Sequence, residues 1–217
     1  MKRTIGGVLL FLIMMPFPAQ AAEQVLARAH WSLELKGGIF IPAIDNWATY
    51  YGGRDTTEFG GSLAYKILKQ IEIGVEGTYI RDKGQGSAPI HNVAAGNVTY
   101  ELAPLNVFVL ARGVFRDDQW LIPYAGGGWT RMYYREEVQY QGTVRGSTDG
   151  SHARAGLQIV LDGADPRAAS NMYTEYGIMH TSVFFETRVT RAMINDLTGK
   201  SVDLGGTSWL GGLLFEF

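Results

Sequence analysis

The 217-residue chain is 46% hydrophobic and 18% charged, a balance that excludes a disordered polypeptide and suits one domain of ordinary size. Its net charge of −2 offers no basic surface for a nucleic-acid backbone, and the absence of cysteine excludes disulfides, thiolate metal sites, cysteine nucleophiles and a lipidated cysteine anchor. Glycine is the outlier: 28 residues are about 13% of the chain against roughly 7% in ordinary proteins, which together with 12% aromatics points to β-structure with tight turns.

In chain order, the first element reads as an export signal. Lys2 and Arg3 make a positive start, residues 5–17 an apolar stretch and Ala19-Gln20-Ala21 a small-residue cleavage site. The stretch falls short of the about 20 residues that a membrane-spanning helix needs, so cleavage after Ala21 is expected in preference to a retained anchor. Residues 22–217 then form the mature domain.

Beyond it the pattern switches to period two, the spacing of strands with two unlike faces. Trp31, Leu33, Leu35, Ile39 and Ile41 oppose His30, Ser32, Glu34 and Lys36 over residues 30–43, and Phe59, Leu63, Tyr65 and Ile67 oppose Glu58, Ser62 and Lys66 over 57–68. The clearest strand is 71–82, where Ile71, Ile73, Val75 and Tyr79 lie opposite Glu72, Glu76 and Thr78. The next two, 99–115 and 119–136, are harder to phase. Residues 105–114 are apolar on both faces, with Phe108 and Leu110 beside Asn106 and Arg112, and Pro123 with Gly126-Gly127-Gly128 suggests a bulge. Alternation returns at 151–162, where Ala153, Ala155, Leu157, Ile159 and Leu161 oppose His152, Arg154 and Gln158. Residues 163–181 break the series, since Asp165-Pro166-Arg167-Ala168-Ala169 has an aspartate cap and a first-turn proline. Strands at 182–192, with Glu186, Arg188 and Thr190 opposite Val183, Phe185 and Val189, and at 203–217 complete eight.

Exported strands of about ten residues with aromatics near their ends match an outer-membrane barrel. A closed barrel pairs every backbone group in hydrocarbon without leaving an edge. A soluble sandwich is the rival, with its apolar face as a shared core. The short connections, 69–70 and 116–118, alternate with the longer 44–56, 84–98 and 139–150, so with both termini in the periplasm the long set is extracellular. The 163–181 insertion is then a periplasmic helix, read as a lid with Tyr173 and Tyr176 near the barrel mouth, a partner surface being the alternative.

Trp209, Gly211, Leu213, Phe215 and Phe217 share one face of the last strand, and the sequence stops on phenylalanine. This resembles the terminal recognition strand that the barrel assembly machinery reads. Together with Pro123-Tyr124-Ala125-Gly126-Gly127-Gly128 and Asp203-Leu204-Gly205-Gly206, the strand pattern over 30–217 resembles the OmpA transmembrane-domain and OmpW-like superfamily of small outer-membrane proteins. The resemblance implies an all-β fold, an eight-stranded antiparallel up-and-down transmembrane barrel of the bacterial outer membrane. It also implies contact with outer-membrane lipid and lipopolysaccharide, insertion by the assembly machinery, a monomeric state, and neither cofactor nor nucleic-acid partner. Nothing after Phe217 corresponds to the peptidoglycan-binding domain of some relatives, so cell-wall anchoring is not expected.

An eight-stranded barrel has room inside only for its own side chains. The inward row, by this phasing, holds Glu34, Lys36, Glu58, Lys66, Glu72, Glu76, Arg112, Arg154, Glu186 and Arg188. Both signs are present, so they pair across the lumen. A structural or surface-interaction role with a filled lumen is the first reading. The alternative is transport of a small or apolar solute, which the OmpW-like resemblance implies.

A catalytic reading starts from His180-Thr181-Ser182 and Glu186, which share a strand face and supply base, nucleophile and acid. The spacing is similar to that of outer-membrane lipid A deacylases. However, Val183 stands where those enzymes have asparagine, Ile194 where they have an acid, and His180 falls at the periplasmic end, away from lipid A. An enzyme is therefore not expected. His30, His91, His152 and His180 are too dispersed for a metal site. Trp47, Tyr50, Tyr51, Ile90 and His91 are loop positions read as packing residues rather than ligand contacts.

Overall fold

Alternation gives each strand one oily and one wet side, and the computed structural model rolls these ribbons into a closed cylinder. It describes residues 29–45, 47–88, 90, 93–116 and 119–217; the expected export signal, His91 and the Asp117-Asp118 part of one turn lie outside the described residues. The order is β1 (Trp31–Pro42), α1 (Trp47–Tyr51), β2 (Thr56–Lys66), β3 (Ile71–Ala88), β4 (Val93–Arg112), β5 (Leu121–Val138), β6 (Gly142–Val160), α2 (Pro166–Tyr176), β7 (His180–Asn195), β8 (Ser201–Asp203) and β9 (Gly206–Glu216). β1 to β7 pair antiparallel in sequence order, β9 pairs with both β7 and β1, and the ring closes. The short β8 extends the same ladder on β7, interrupted at Leu204-Gly205, so eight barrel strands result. The Phe217 carbonyl takes the His30 and Trp31 amides at 3.0 and 2.8 Å, which fixes the start of β1 and Phe217 at one rim.

Outward positions carry the apolar row and inward positions the polar one. Val75 is 49% exposed while its neighbour Glu76 is 1% exposed, the inverse of a water-soluble protein. Trp31, Leu35, Ile39, Phe59, Leu63, Val107, Trp129, Leu157, Phe185 and Trp209 face outward on every side. A continuous apolar belt of this extent is stable only against another apolar phase. The soluble-sandwich alternative fails because the apolar face is the outside.

Strand lengths are uneven. β3 to β6 run 18, 20, 18 and 19 residues, whereas about 9–11 tilted residues cross a membrane. The expected loops at 84–98 and 139–150 are instead hairpin continuations of the wall, with Gln85 opposite Asn97 and Arg135 opposite Arg145. The β5–β6 extension is largely exposed on both faces, and the β3–β4 extension buries a small cluster of Ala88 and Val98 against Val138, so no long oily alternation announces them. Nor does Pro123 to Gly128 bulge: β5 keeps one register against β4 and against β6, and the ladder shift lies at Gln85/Gly86. Gly126 and Gly128 face inward, and a Cβ at either would strike the β4 backbone at Val109 or Val107. Their bareness permits close strand approach.

The 163–181 insertion does form a helix. Asp165 caps α2 by accepting the Arg167 and Ala168 amides, and Gly177 closes it at φ 70°. It is not a lid, since no α2 residue is buried and Tyr173 and Tyr176 are 55% and 69% exposed.

The barrel lumen as candidate functional site

Side chains from every barrel wall meet in the lumen, which is built in layers. At the rim that carries the start of β1 and Phe217, Lys66 reaches Glu216 at 2.6 Å. Above it, Arg112 donates to Glu72 at 2.7 Å, Glu34 at 3.0 Å and Gln158 at 2.7 Å, and its guanidinium lies 4.9 Å from the Tyr124 ring centroid. Ser62 and Ser32 add donors to Glu34 and Glu72, at 2.7 and 3.3 Å.

Glu76 is the hub of the next layer. It accepts from Lys36 at 2.5 Å, Arg154 at 3.0 Å and Asn106 at 2.7 Å, and pairs with Arg188, which also holds Glu58. Glu186 faces Arg154 at 3.4 Å and Lys36 at 3.6 Å, while Lys36 also meets Glu34 at 2.9 Å. Thr130 links Asn106 to His152, and Arg154 stacks 3.8 Å from the Phe108 centroid. Charges this deeply buried are tolerable because each is met by opposite charge and by hydrogen bonds.

The upper lumen is different in kind. Phe40, Ile80, Tyr100, Leu102 and Met132 from the walls join Ile44 and Trp47 from the β1–β2 connection and Ile90 from the β3–β4 tip in one buried apolar cluster. Trp47 stacks on Tyr51 at 3.9 Å and meets Tyr100 edge-on at 5.2 Å. The short helix α1 therefore lies over the mouth as a stopper, with Trp47 only 4% exposed.

The structure thus brings Glu34, Lys36, Glu58, Glu72, Glu76, Arg112, Arg154, Glu186 and Arg188 into one interior network, and sets Lys66 apart from it with Glu216. The charged row leaves out its neutral partners: by sequence Ser32, Ser62 and Gln158 stand on the polar faces without a role, and Thr130, Ser182 and Ser208 are not assigned to the lumen. Their even spacing with the charged residues was the available signal. Trp209, Gly211, Leu213, Phe215 and Phe217 lie on the outward face of β9 or just beyond it, away from the lumen.

The candidate catalytic residues do not assemble. His180 Nδ1 meets Asp162 at 2.6 Å, Ser182 accepts from Gln158 at 3.0 Å, and Glu186 belongs to the ionic layer. Among the described residues no group of histidines and carboxylates is arranged to hold a metal.

The sequence matches the family model described as outer membrane protein beta-barrel domain over residues 7–211. Among solved structures it resembles the N-terminal β-barrel domain of Pseudomonas aeruginosa OprF, with 13% identity, a TM-score of 0.53, and 88% of this chain and 98% of that one covered. Neisserial surface protein A is similar at 10% identity and a TM-score of 0.51, covering 86% and 96%. No curated protein matches the sequence.

Proposed function

Because the chain belongs to the outer membrane protein β-barrel family, we propose that it is a non-enzymatic, non-conducting barrel with a structural or surface-interaction role. Its fold and family place it in the bacterial outer membrane. One observation carries the closed-lumen reading: Glu76 gathers Lys36, Arg154 and Arg188 from three other strands at mid-barrel, beneath the apolar stopper of α1. A solute crossing the barrel would have to break both layers. The unbroken β4–β5 and β5–β6 ladders leave no lateral opening in that wall for the transporter alternative.

The decisive experiment is conductance of the refolded protein in a planar bilayer. No steady current is expected; a large, stable wild-type conductance would overturn the reading and favour transport. The remaining features of this reading are an exported precursor cleaved after Ala21, a monomer in contact with outer-membrane lipid and lipopolysaccharide, and a β9 face from Trp209 to Phe217 read by the assembly machinery. Deleting Phe217 is expected to lower membrane insertion in cells more than the stability of protein refolded in vitro. Normal membrane levels of the truncated chain would remove the assembly role.

A further inference from the structure

The tall wall of β3 to β6 carries a feature that a filled barrel does not need. Counted from the lower rim, about eleven residues complete a membrane crossing, which brings β3 to Arg81 and β4 to Glu101. At that level the registers align four strands in outward rows. One row runs Arg81, Glu101, Arg135, Arg145; the row beneath it runs Tyr79, Ala103, Tyr133, Ser147. The next contains Leu105 and Arg131, with Val107 and Trp129 below.

Two properties of these rows point to an anion. Arg135 and Arg145 are direct cross-strand neighbours, and like charges placed so destabilise a sheet. Among the described residues Arg135 pairs with Glu101 at 3.7 Å and Glu137 at 3.0 Å, while Arg145 is exposed and makes no ion pair with any described residue. Below the pair, small Ala103 lies between the rings of Tyr79 and Tyr133. Together with Glu101, Arg135, Arg145 and Ser147 they line an open cavity of about 500 Å³, in which Glu101 is already met by the Tyr79 hydroxyl at 2.8 Å and by Arg81 at 3.5 Å, so the cations outnumber it. The wall beneath is the oily surface of Leu105, Val107 and Trp129, flanked at the Leu105 level by the Arg131–Asp149 ion pair. Guanidinium donors over a notch that continues into an apolar face match an amphiphile with a phosphate head and acyl chains.

We propose that this notch binds the phosphorylated, acylated sugar lipid of the outer leaflet, its phosphate between Arg135 and Arg145 and its acyl chains down the Leu105–Val107 wall. The inference rests on the outer-membrane reading with the long hairpins outside the cell. An independent check of orientation is available because the chain has no cysteine: a single Thr143→Cys, at the β5–β6 tip, is labelled by an impermeant thiol reagent on intact cells if the hairpin is external. Failure of labelling would count against the orientation itself, separately from the lipid site.

The test is lipid binding to protein in phosphatidylcholine nanodiscs, read by native mass spectrometry, with bisphosphorylated lipid A and its dephosphorylated form as probes. Charge-assisted hydrogen bonds from the two guanidiniums need the phosphate, so the bisphosphorylated form is expected to bind about tenfold or more tightly. Arg135→Gln with Arg145→Gln removes that preference, whereas Arg167→Gln on α2 keeps it; retained heat-modifiable mobility on gels shows that the variants are folded. Equal binding of the two lipids, or an unchanged preference in the double variant, overturns the proposal. So does displacement of the lipid by millimolar inorganic phosphate alone, which would make the site one for free phosphate.

Discussion

The middle and the upper lumen fill the same cylinder by opposite means. Around Glu76 the space is occupied by three cations, Lys36, Arg154 and Arg188, and their carboxylates, held in fixed geometry by hydrogen bonds; around Trp47 and Tyr100 it is occupied by close-packed apolar groups. In the first layer removal of one partner strands a charge, whereas in the second it leaves a hole. The ionic layer stitches distant strands together, with Arg188 on β7 reaching Glu58 on β2. The apolar layer instead fastens the loops to the walls, since Ile44, Trp47 and Ile90 enter from connections. Specific pairing holds the barrel cross-section, and packing closes its mouth.

This contrast can be broken by substitution. Glu76→Ala should have the largest effect, about 3–5 kcal/mol, because Lys36, Arg154 and Arg188 then lose their common counter-charge. Urea unfolding in detergent micelles measures it, and added salt should restore little because the site is buried. A cost below 1 kcal/mol would mean that the network is not a structural unit.

Leu102→Ala tests the apolar layer, where cavity creation costs about 2–5 kcal/mol. In a double-mutant cycle it should add to Glu76→Ala, whereas Arg188→Ala combined with Glu76→Ala should be strongly non-additive. Additivity of the charged pair would erase the distinction between the layers.

On the outer surface, Val75→Arg places a charge against lipid and should cost about 2–4 kcal/mol near the bilayer midplane. The same unfolding assay reads it, and a neutral result would put Val75 outside the membrane belt.

The smallest effect sharpens the comparison from outside both layers. At the β7–β8 turn, Asp196 accepts from the Thr198 hydroxyl at 2.7 Å and from the Thr198 and Lys200 amides at 2.8 Å. The Thr198 hydrogen bond, then the backbone amides, hold its carboxyl below the usual aspartate value of 3.8. A lowered folded value means that this contribution is complete above the ordinary aspartate range and disappears as pH falls through the folded value. NMR titration should show the Thr198 and Lys200 amides shifting below pH 3.8, and Asp196→Asn should abolish that transition. An unshifted Asp196 titration would show the turn to be indifferent to its charge.

The two layers also differ in how far they could be read in advance. Charged residues at alternate positions of otherwise oily strands leave one physical solution, an interior that hides them from lipid, so Glu72, Glu76, Arg154 and Arg188 announce their side of the wall. The C-terminal alternation and the Asp165 cap are equally local, and both appear in the structure as β9 and α2. Phe40, Ile80 and Leu102 carry no such mark. Their phase, shared with Lys36, Glu76 and Asn106, points them inward, but only ring closure together with the inward fold of α1 makes one apolar plug of them. Register sets the rest. That Glu76 should meet Arg188, 112 positions away, or that Arg145 should stand opposite Arg135, depends on how each strand slides against its neighbour and on closure of the ring by β9. Periodicity is a property of one strand and fixes which way a side chain points; which side chain it meets is a property of the closed sheet, and only the tertiary structure decides it.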